Sequence, residues 1–420
     1  MAGAHRNAYL SYKKLRLERV GAMIPGFQVI IVGAGILGLA SAYHILQREP
    51  ALELLVVDKK SGPGEGDTAR SAAAFRDMFS SPVNRALSQG SIAFYDRIEG
   101  ERGGIGLKKI GYLWLATARQ AEERRAVLTS MARAGVRFKA LEIRELSARL
   151  PDLRTVDLHQ GILGLNCGIL EPLKLIKFYE QEILRMGAQV RYRVEVSGFT
   201  LNSQALVSGI RTREAEISAR TVIVAAGAWT GRLLAGVGIE VPITPRKRQL
   251  FSIPAREGPL HGLLTTSGFN EHSLLPFTIL PGAAYLRPAP ASFILGFANP
   301  DQPPGLEEPA TGDRGFYDMS IRPQVERYFP VFQGQVPTQA WAGHYDDHLR
   351  DSTPFVEYLG GALVVAGSSG SGVMKADSLG RIAAGRLLGQ ESVPLGHGGW
   401  FKVADLGLQQ RAVPPEEFVI

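Results

Sequence analysis

The run Val29-Ile30-Ile31-Val32-Gly33-Ala34-Gly35-Ile36-Leu37-Gly38 limits what this chain can fold into more than any other stretch. Four apolar, mostly β-branched residues predict a buried strand, and the glycines follow with the spacing G-x-G-x-x-G. Ile36–Gln47, rich in Ala and Leu, predicts a helix. The spacing has a mechanism. Gly33 permits the tight turn, Gly35 lets the backbone approach a pyrophosphate, and Gly38 lets helix and strand pack closely. The amides of Ile36 and Leu37 begin the helix, where unpaired N–H groups favour an anion. A second strand, Leu54-Leu55-Val56-Val57, ends in Asp58, 25 residues after Gly33, with Lys59 beyond it. An acid there accepts hydrogen bonds from ribose hydroxyls, which points to an adenosine dinucleotide without a 2′-phosphate. The motif alone does not separate FAD from NAD.

A length of 420 residues accommodates two domains. The single cysteine, Cys167, excludes an internal disulfide framework and a Cys-based metal site, and suits a reducing compartment. No run of 18 apolar residues occurs, so no membrane-spanning helix is predicted. The net charge of +7 comes from 35 Arg and 12 Lys against 40 acids. No Lys/Arg run is interleaved with aromatics, so nucleic acid is not an expected partner. Residues 1–25 hold Arg6, Lys13, Lys14, Arg16 and Arg19 against Glu18, and lack the apolar core of a secretory signal. They read as a basic appendage, with Met23 an alternative start. The expected location is the cytoplasm, with peripheral attachment to a membrane left open.

After the second strand come a turn-rich loop, Gly62–Gly66, and then Asp67-Thr68-Ala69-Arg70-Ser71-Ala72-Ala73-Ala74-Phe75-Arg76. Small residues let a flat ring come close, hydroxyls and amides bind phosphate, and arginine answers a carboxylate. A nicotinamide-binding domain has no need of this segment; a flavin lying along it does.

With the fingerprint, this second block, Thr221–Trp229 and Val364–Gly372 taken together, the chain resembles the amine-oxidising flavoproteins: D-amino-acid oxidase, glycine oxidase, sarcosine oxidase and dye-linked proline dehydrogenase. The resemblance spans residues 26 to 395. It implies an α/β fold, a discontinuous Rossmann-like FAD-binding domain with an interleaved α+β substrate domain on a mixed sheet. The FAD-binding parts are placed at about 26–107, 160–241 and 339–395, the substrate parts at 108–159 and 242–338, and a C-terminal tail at 396–420. Expected helices are Ala121–Ala134, Ile143–Leu150, Leu173–Met186 and Ala376–Leu388. Expected strands are Gln189–Val196, Gly111–Ala116, Ile243–Ile253, Ala284–Arg287 and Phe293–Phe297, and Pro303–Asp313 is an expected loop. The resemblance also implies non-covalent FAD held by Gly33, Gly35, Ile36, Leu37, Gly38, Asp58 and Lys59 from the first block. Thr68, Arg70, Ser71, Ala72, Ala74 and Phe75 join from the second. Val196, Ala226, Gly227 and Trp229 come from the middle of the chain, and Gly343, Ser369, Gly370, Ser371, Gly372, Val373 and Met374 from its end.

Gly367–Gly372 precedes a helix, so backbone amides and the positive helix end can face a flavin as it gains negative charge. In the family an amino acid lies over the flavin with its carboxylate held by a cation. The candidates here are Arg76 and Arg287, each with an alternative as a structural ion pair, and Arg suits that recognition. Tyr285, His272 and His344 are candidates for an aromatic wall or for a hydrogen-bond partner of the amine, with a structural role the alternative for each histidine. His344 and His348, at i and i+4, lack a third ligand, so no metal is expected.

Two departures from the sarcosine oxidase pattern matter. Ser371 and Met374 stand where that pattern has histidine and lysine, and Lys375 is one position along. One step turns a helical side chain by about 100°, so Lys375 is expected to face elsewhere. Ile294 stands where the oxidases place a lysine over the flavin, and an apolar residue cannot stabilise superoxide. The expected function is therefore an FAD-dependent dehydrogenase. It would oxidise a small amine or amino acid (proline-, sarcosine- or glycine-like) to an imine by hydride transfer to flavin N5. Electrons would pass to a quinone, dye or redox protein. A peroxide-forming oxidase, a flavin-containing assembly or scaffold protein with vestigial chemistry, and an NAD-dependent enzyme are the alternatives. A homo-oligomer is left open.

Overall fold

Two eight-stranded sheets and the layer between them organise the chain. The structure is a computed structural model and describes residues 26–63, 65–101, 104–409, 411 and 413–418. The expectations for residues 1–25 lie outside the described residues.

The first sheet grows from the fingerprint strand, Gly26–Val32, which pairs in parallel with Leu54–Val57 on one side and Glu216–Val224 on the other. Gln189–Arg191 and Ala362–Ala366 extend it in parallel, Phe355–Leu359 closes one edge antiparallel, and a hairpin of Val196–Leu201 and Val207–Thr212 joins Glu216–Val224. Continuous apolar runs are what a parallel sheet covered on both faces requires. Ile30, Ile31, Val56 and Val57 are all fully buried, each contributing roughly 1.5–3 kcal/mol. The helices Ile36–Arg48 and Gly372–Leu387 pack on one face so closely that a side chain at Gly380 would collide with the Ala40 carbonyl. His44 Nε2 and Asp377 Oδ1 meet there at 2.6 Å.

The second sheet runs in the order Gln339–His348, Ile243–Pro254, Ser292–Phe297, Ala284–Ala289, Phe277–Ile279, Tyr112–Ala116, Gln160–Gly164 and Phe138–Glu142. Its register sorts side chains onto two faces. Leu113, Phe251, Leu286 and Phe293 pack under a helical layer that includes Tyr317 and Val325. Tyr112, Trp114, Phe277, Tyr285 and Leu250 turn the other way and pack with Ala74, Met78, Cys167 and Ile169. That second face is the layer between the two halves of the molecule.

Several elements differ from the sequence expectation. Gln160–Gly164 pairs with Tyr112–Ala116 and Phe138–Glu142, and Gln339–His348 pairs with Ile243–Pro254 over all ten of its residues. Both fall within parts that the resemblance assigns to FAD binding, 160–241 and 339–395, and both pair within the second sheet. The strand expected over Gln189–Val196 stops at Arg191, because Arg193 turns with φ 60° and chain direction resumes only at Val196. The last helix starts at Gly372, four residues ahead of Ala376. A twenty-residue helix, Pro82–Glu101, had no counterpart in the expectation. Its buried face carries Asn84, Ser88, Gly90 and Ser91, which weakens the apolar period. Gly90 is required: a Cβ there would meet Ser378 and Leu395 of the neighbouring segment.

Candidate active site

The four sequence blocks converge on one cavity of about 540 Å³. Gly33 adopts φ 111° and lies against the Ala225 carbonyl, so no other residue fits the turn. A Cβ on Gly35 would meet nothing closer than Thr68 Oγ1 at 3.6 Å, which leaves this backbone open to a ligand. The Ile36 amide donates to Thr68 Oγ1 at 3.2 Å, tying the second block to the helix start. Asp58 accepts from the Ala34 amide through Oδ2 and from the Lys60 amide through Oδ1, both at 2.8 Å. Each oxygen retains a lone pair for a further donor.

Of the residues expected to hold a cofactor, Gly33, Gly35, Ile36, Leu37, Asp58, Lys59, Thr68 and Ser71 line the cavity, as do Val196, Ala226, Gly227, Trp229, Gly370, Gly372 and Val373. The rest stand behind that wall. Gly38 packs on the Gly33 carbonyl, and Arg70 donates to the Ala342 carbonyl at 3.3 Å. Ala74 and Phe75 form a short strand with Gly168–Ile169, beside Ala72 in the layer between the sheets. Gly343 gives Asp67 and Arg70 room to approach, and Met374 is in the core. Ser369 Oγ accepts from the His348 amide at 2.9 Å, and Ser371 Oγ donates to the Ser368 carbonyl at 2.6 Å.

Other lining residues carried no sequence signal. Asp67 Oδ1 accepts from the His344 amide at 2.9 Å, and Asp346 accepts from the Gly367 amide and the Ser368 hydroxyl at 2.8 and 2.6 Å. Burial raises the Asp346 pKa, which these hydrogen bonds oppose. Glu308 reaches the cavity mouth from the Pro303–Asp313 loop and pairs with Lys59 at 2.7 Å and Lys60 at 3.2 Å. Lys59 Nζ lies 4.3 Å from the centre of the Trp229 ring, and Trp229 meets His344 edge-on at 5.4 Å. The Trp229 Nε1 donor is buried and has no partner among the described residues. The His344 Nε2 accepts from the Glu307 amide at 3.1 Å, so in the neutral ring the proton is on Nδ1.

The residues expected to meet a substrate divide. Tyr285 and Arg287 project from one strand onto the face between the two halves, opposite Gly296 and Ile294. Tyr112, Phe277 and Tyr285 stack in sequence, with centroids 4.3 and 4.9 Å apart. Arg287 is buried, donates to the carbonyls of Pro288 and Leu170, and leaves Nε unpaired; burial brings its pKa down to about 10. Arg76 is likewise buried, lies 4.1 Å from the Phe79 ring centre and donates to the Met78 carbonyl. Both guanidinium groups act electrostatically on the Tyr112 phenol, which burial holds well above its ordinary pKa. His272 is outside this group, on a partly exposed turn beside Glu271. His344 and His348 lie on a strand, four residues or roughly 13 Å apart along it. His348 is held by Asp351 at 2.9 Å.

A strand–glycine turn–helix, an acid on the next strand and a cavity fed by distant loops define a dinucleotide-binding protein of the flavoprotein type. The chain belongs to the FAD-dependent oxidoreductase family DAO, whose profile matches residues 28–386, and its cofactor is FAD. It is 25% identical over 407 residues to the "FAD-dependent oxidoreductase domain-containing protein 1" of Xenopus laevis, covering 85% of this chain and 78% of the relative. It is 24% identical over 344 residues to the glycine oxidase of Pseudomonas putida, covering 79% and 85%. Among solved structures, L-proline dehydrogenase from P. horikoshii matches with a TM-score of 0.76 and 21% identity, over 89% of this chain and 96% of that one. The last likeness is one of fold. No helix of the described residues is long and apolar enough to cross a membrane.

Proposed function

We propose that the protein is an FAD-dependent dehydrogenase of small amines or amino acids, proline-, sarcosine- or glycine-like in size, that gives its electrons to an acceptor other than O₂. The observation that carries the reading is the pair Arg76 and Arg287. Both guanidinium groups are buried on the aromatic face between the sheets, and their hydrogen bonds go to backbone carbonyls. Glu416 and Asp77 act on Arg76, and Glu171 on Arg287, from a distance; among the described residues no carboxylate hydrogen-bonds either guanidinium, and a substrate carboxylate suits that planar group. The names of relatives agree with this class: glycine oxidase in Pseudomonas putida and peroxisomal sarcosine oxidase in Homo sapiens.

The residues present fit FAD. Gly33, Gly35 and the first amides of the helix Ile36–Arg48 would take the pyrophosphate, Asp58 the ribose, and Val196 the adenine side. The turn Ser368–Val373 would meet the ring, and Trp229, with its unpaired Nε1, and His344 line the same cavity. Bound FAD supplies the hydride acceptor. Arg76 and Arg287 would orient the carboxylate and so the C–H bond, while Tyr285 and Phe277 exclude water from one side. Ile294 is apolar and packs with this aromatic cluster, so it offers no charge for superoxide, which favours dehydrogenase over oxidase.

An anaerobic screen of amino acids and N-methyl amines for bleaching of the flavin band tests the proposal. Bleaching followed by slow reoxidation in air is the expected result. Rapid reoxidation would make the protein an oxidase, and bound FAD that no amine bleaches would favour a scaffold role.

A further inference from the structure

Lys375 is 1% exposed, one turn into the last helix, and does not line the cavity. Its ammonium donates to Ser371 Oγ at 2.7 Å and to Asn84 Oδ1 at 2.8 Å. Ser371 in turn donates to the Ser368 carbonyl. Ser368, Gly370, Gly372 and Val373, on either side of Ser371, form the cavity wall. The ammonium is therefore fastened to the back of the turn whose front faces the cofactor.

The surrounding charge is drawn from several segments of the chain. Lys375 Nζ and the Arg76 guanidinium lie 4.5 and 4.1 Å from the centre of the same Phe79 ring. Glu416, from the C-terminal tail, is the acid that acts on both. Asp351 and Arg411, the other charged groups felt by Lys375, pair with each other at 2.6 Å. Asp77 also acts on Arg76, so two acids answer these two cations, and the Lys375 ammonium, bonded to Ser371, stands at the first turn of a sixteen-residue helix.

We propose that Lys375 is a positioning residue for FAD: it pins Ser371 and adds fixed positive charge behind the turn Ser368–Val373, raising the reduction potential of the bound flavin. The inference rests on the reading that this turn meets the flavin ring. Two-electron reduction adds negative charge to the cofactor, and fixed positive charge in a low dielectric favours the more negative state.

The test is the midpoint potential of the FAD-bound full chain, equilibrated with a reference dye, with FAD content read from absorbance. Measurement at pH 6, below the value of about 7 to which burial brings Lys375, keeps the ammonium charged. Lys375→Gln keeps a hydrogen-bond donor and removes the charge. It should lower the potential by about 30 mV, the equivalent of tenfold in a two-electron equilibrium, whereas Lys375→Arg should stay near the parent. A Lys375→Gln protein with one FAD per chain and the parental potential overturns the inference. If that variant does not retain FAD, Ser371→Ala decides instead: a lowered potential supports the role and an unchanged one overturns it. Parent protein that binds no FAD would defeat the cofactor reading itself, a distinct outcome.

Discussion

Thr68 Oγ1 accepts the Ile36 amide at 3.2 Å, joining residues 32 positions apart at the start of the fingerprint helix. A helix's first amides have no partner within the helix, so this hydroxyl fixes the loop that forms the cavity floor. Thr68→Val keeps the shape and removes the acceptor. A neutral hydrogen bond is worth about 0.5–1.5 kcal/mol, so FAD should bind roughly 2- to 10-fold more weakly. Fluorescence titration of the apoprotein measures this, and unchanged affinity would remove Thr68 from the site.

Gly370 has φ 77°, and a Cβ there would run into the Tyr345 ring. Gly370→Ala should therefore cost stability, on the order of 1–3 kcal/mol, and reduce bound FAD. Urea unfolding and the FAD-to-protein ratio of purified protein report the two effects. A parental result in both would show that the Tyr345 contact is easily relieved.

Glu308 spans the cavity mouth to Lys59 and Lys60, and the lysines hold its pKa down at about 2. The Glu308 side chain is 43% exposed, so solvent screens these pairs and their worth is limited to about 1 kcal/mol. Glu308→Gln should speed FAD release by no more than about fivefold and abolish most of the acceleration that salt causes in the parent. Dissociation rates at low and high ionic strength distinguish this from an effect on folding.

If Arg76 and Arg287 bind a substrate carboxylate, Arg76→Met and Arg287→Met should each raise KM. Loss of a charged hydrogen-bond partner, about 1.5–3 kcal/mol, corresponds to roughly 10- to 150-fold. Amines without a carboxylate should show no such change. Equal effects on both substrate types would assign the arginines to packing.

Lys375 also predicts a pH dependence of stability. Burial lowers its folded pKa from 10.5 to about 7, so between these values the unfolded chain binds more protons than the folded one. Stability should fall as pH drops from about 10 to 7 and level off below. The slope is at most about 1.4 kcal/mol per pH unit. In Lys375→Met, which has no such titration, the curve from urea unfolding at pH 7 and 9.5 should be flatter. A parental slope in that variant would place the dependence elsewhere.

What was legible in the sequence follows from locality. The fingerprint strand, its glycines and Asp58 lie within one short stretch, where Gly38 packs on the Gly33 carbonyl and Asp58 accepts from the Ala34 amide. The helix Pro82–Glu101 was hidden because Asn84, Ser88, Gly90 and Ser91 interrupt the apolar period of its buried face, Gly90 being required by a neighbour nearly 300 positions on, Ser378. The roles of Asp67 and Glu308 were not expected because their partners, His344 and Lys59, are equally remote. The sheet to which Gln339–His348 belongs is settled by pairing with Ile243–Pro254, which order along the chain does not encode. The bond from Lys375 to Ser371 could not be read from spacing alone.

That same strand, Gln339–His348, has a mechanical consequence. Its whole length is stitched into the second sheet, and within that length His344, Tyr345 and Asp346 form part of the cavity wall. A clamshell opening of the two halves would have to break the bonds that Asp346 accepts from Gly367 and Ser368, and those that the His344 and His348 amides give to Asp67 and Ser369. Glu308, paired with Lys59 and Lys60, adds a further tie across the cavity, so the two halves are held together from the strand inside and from the loop at the surface.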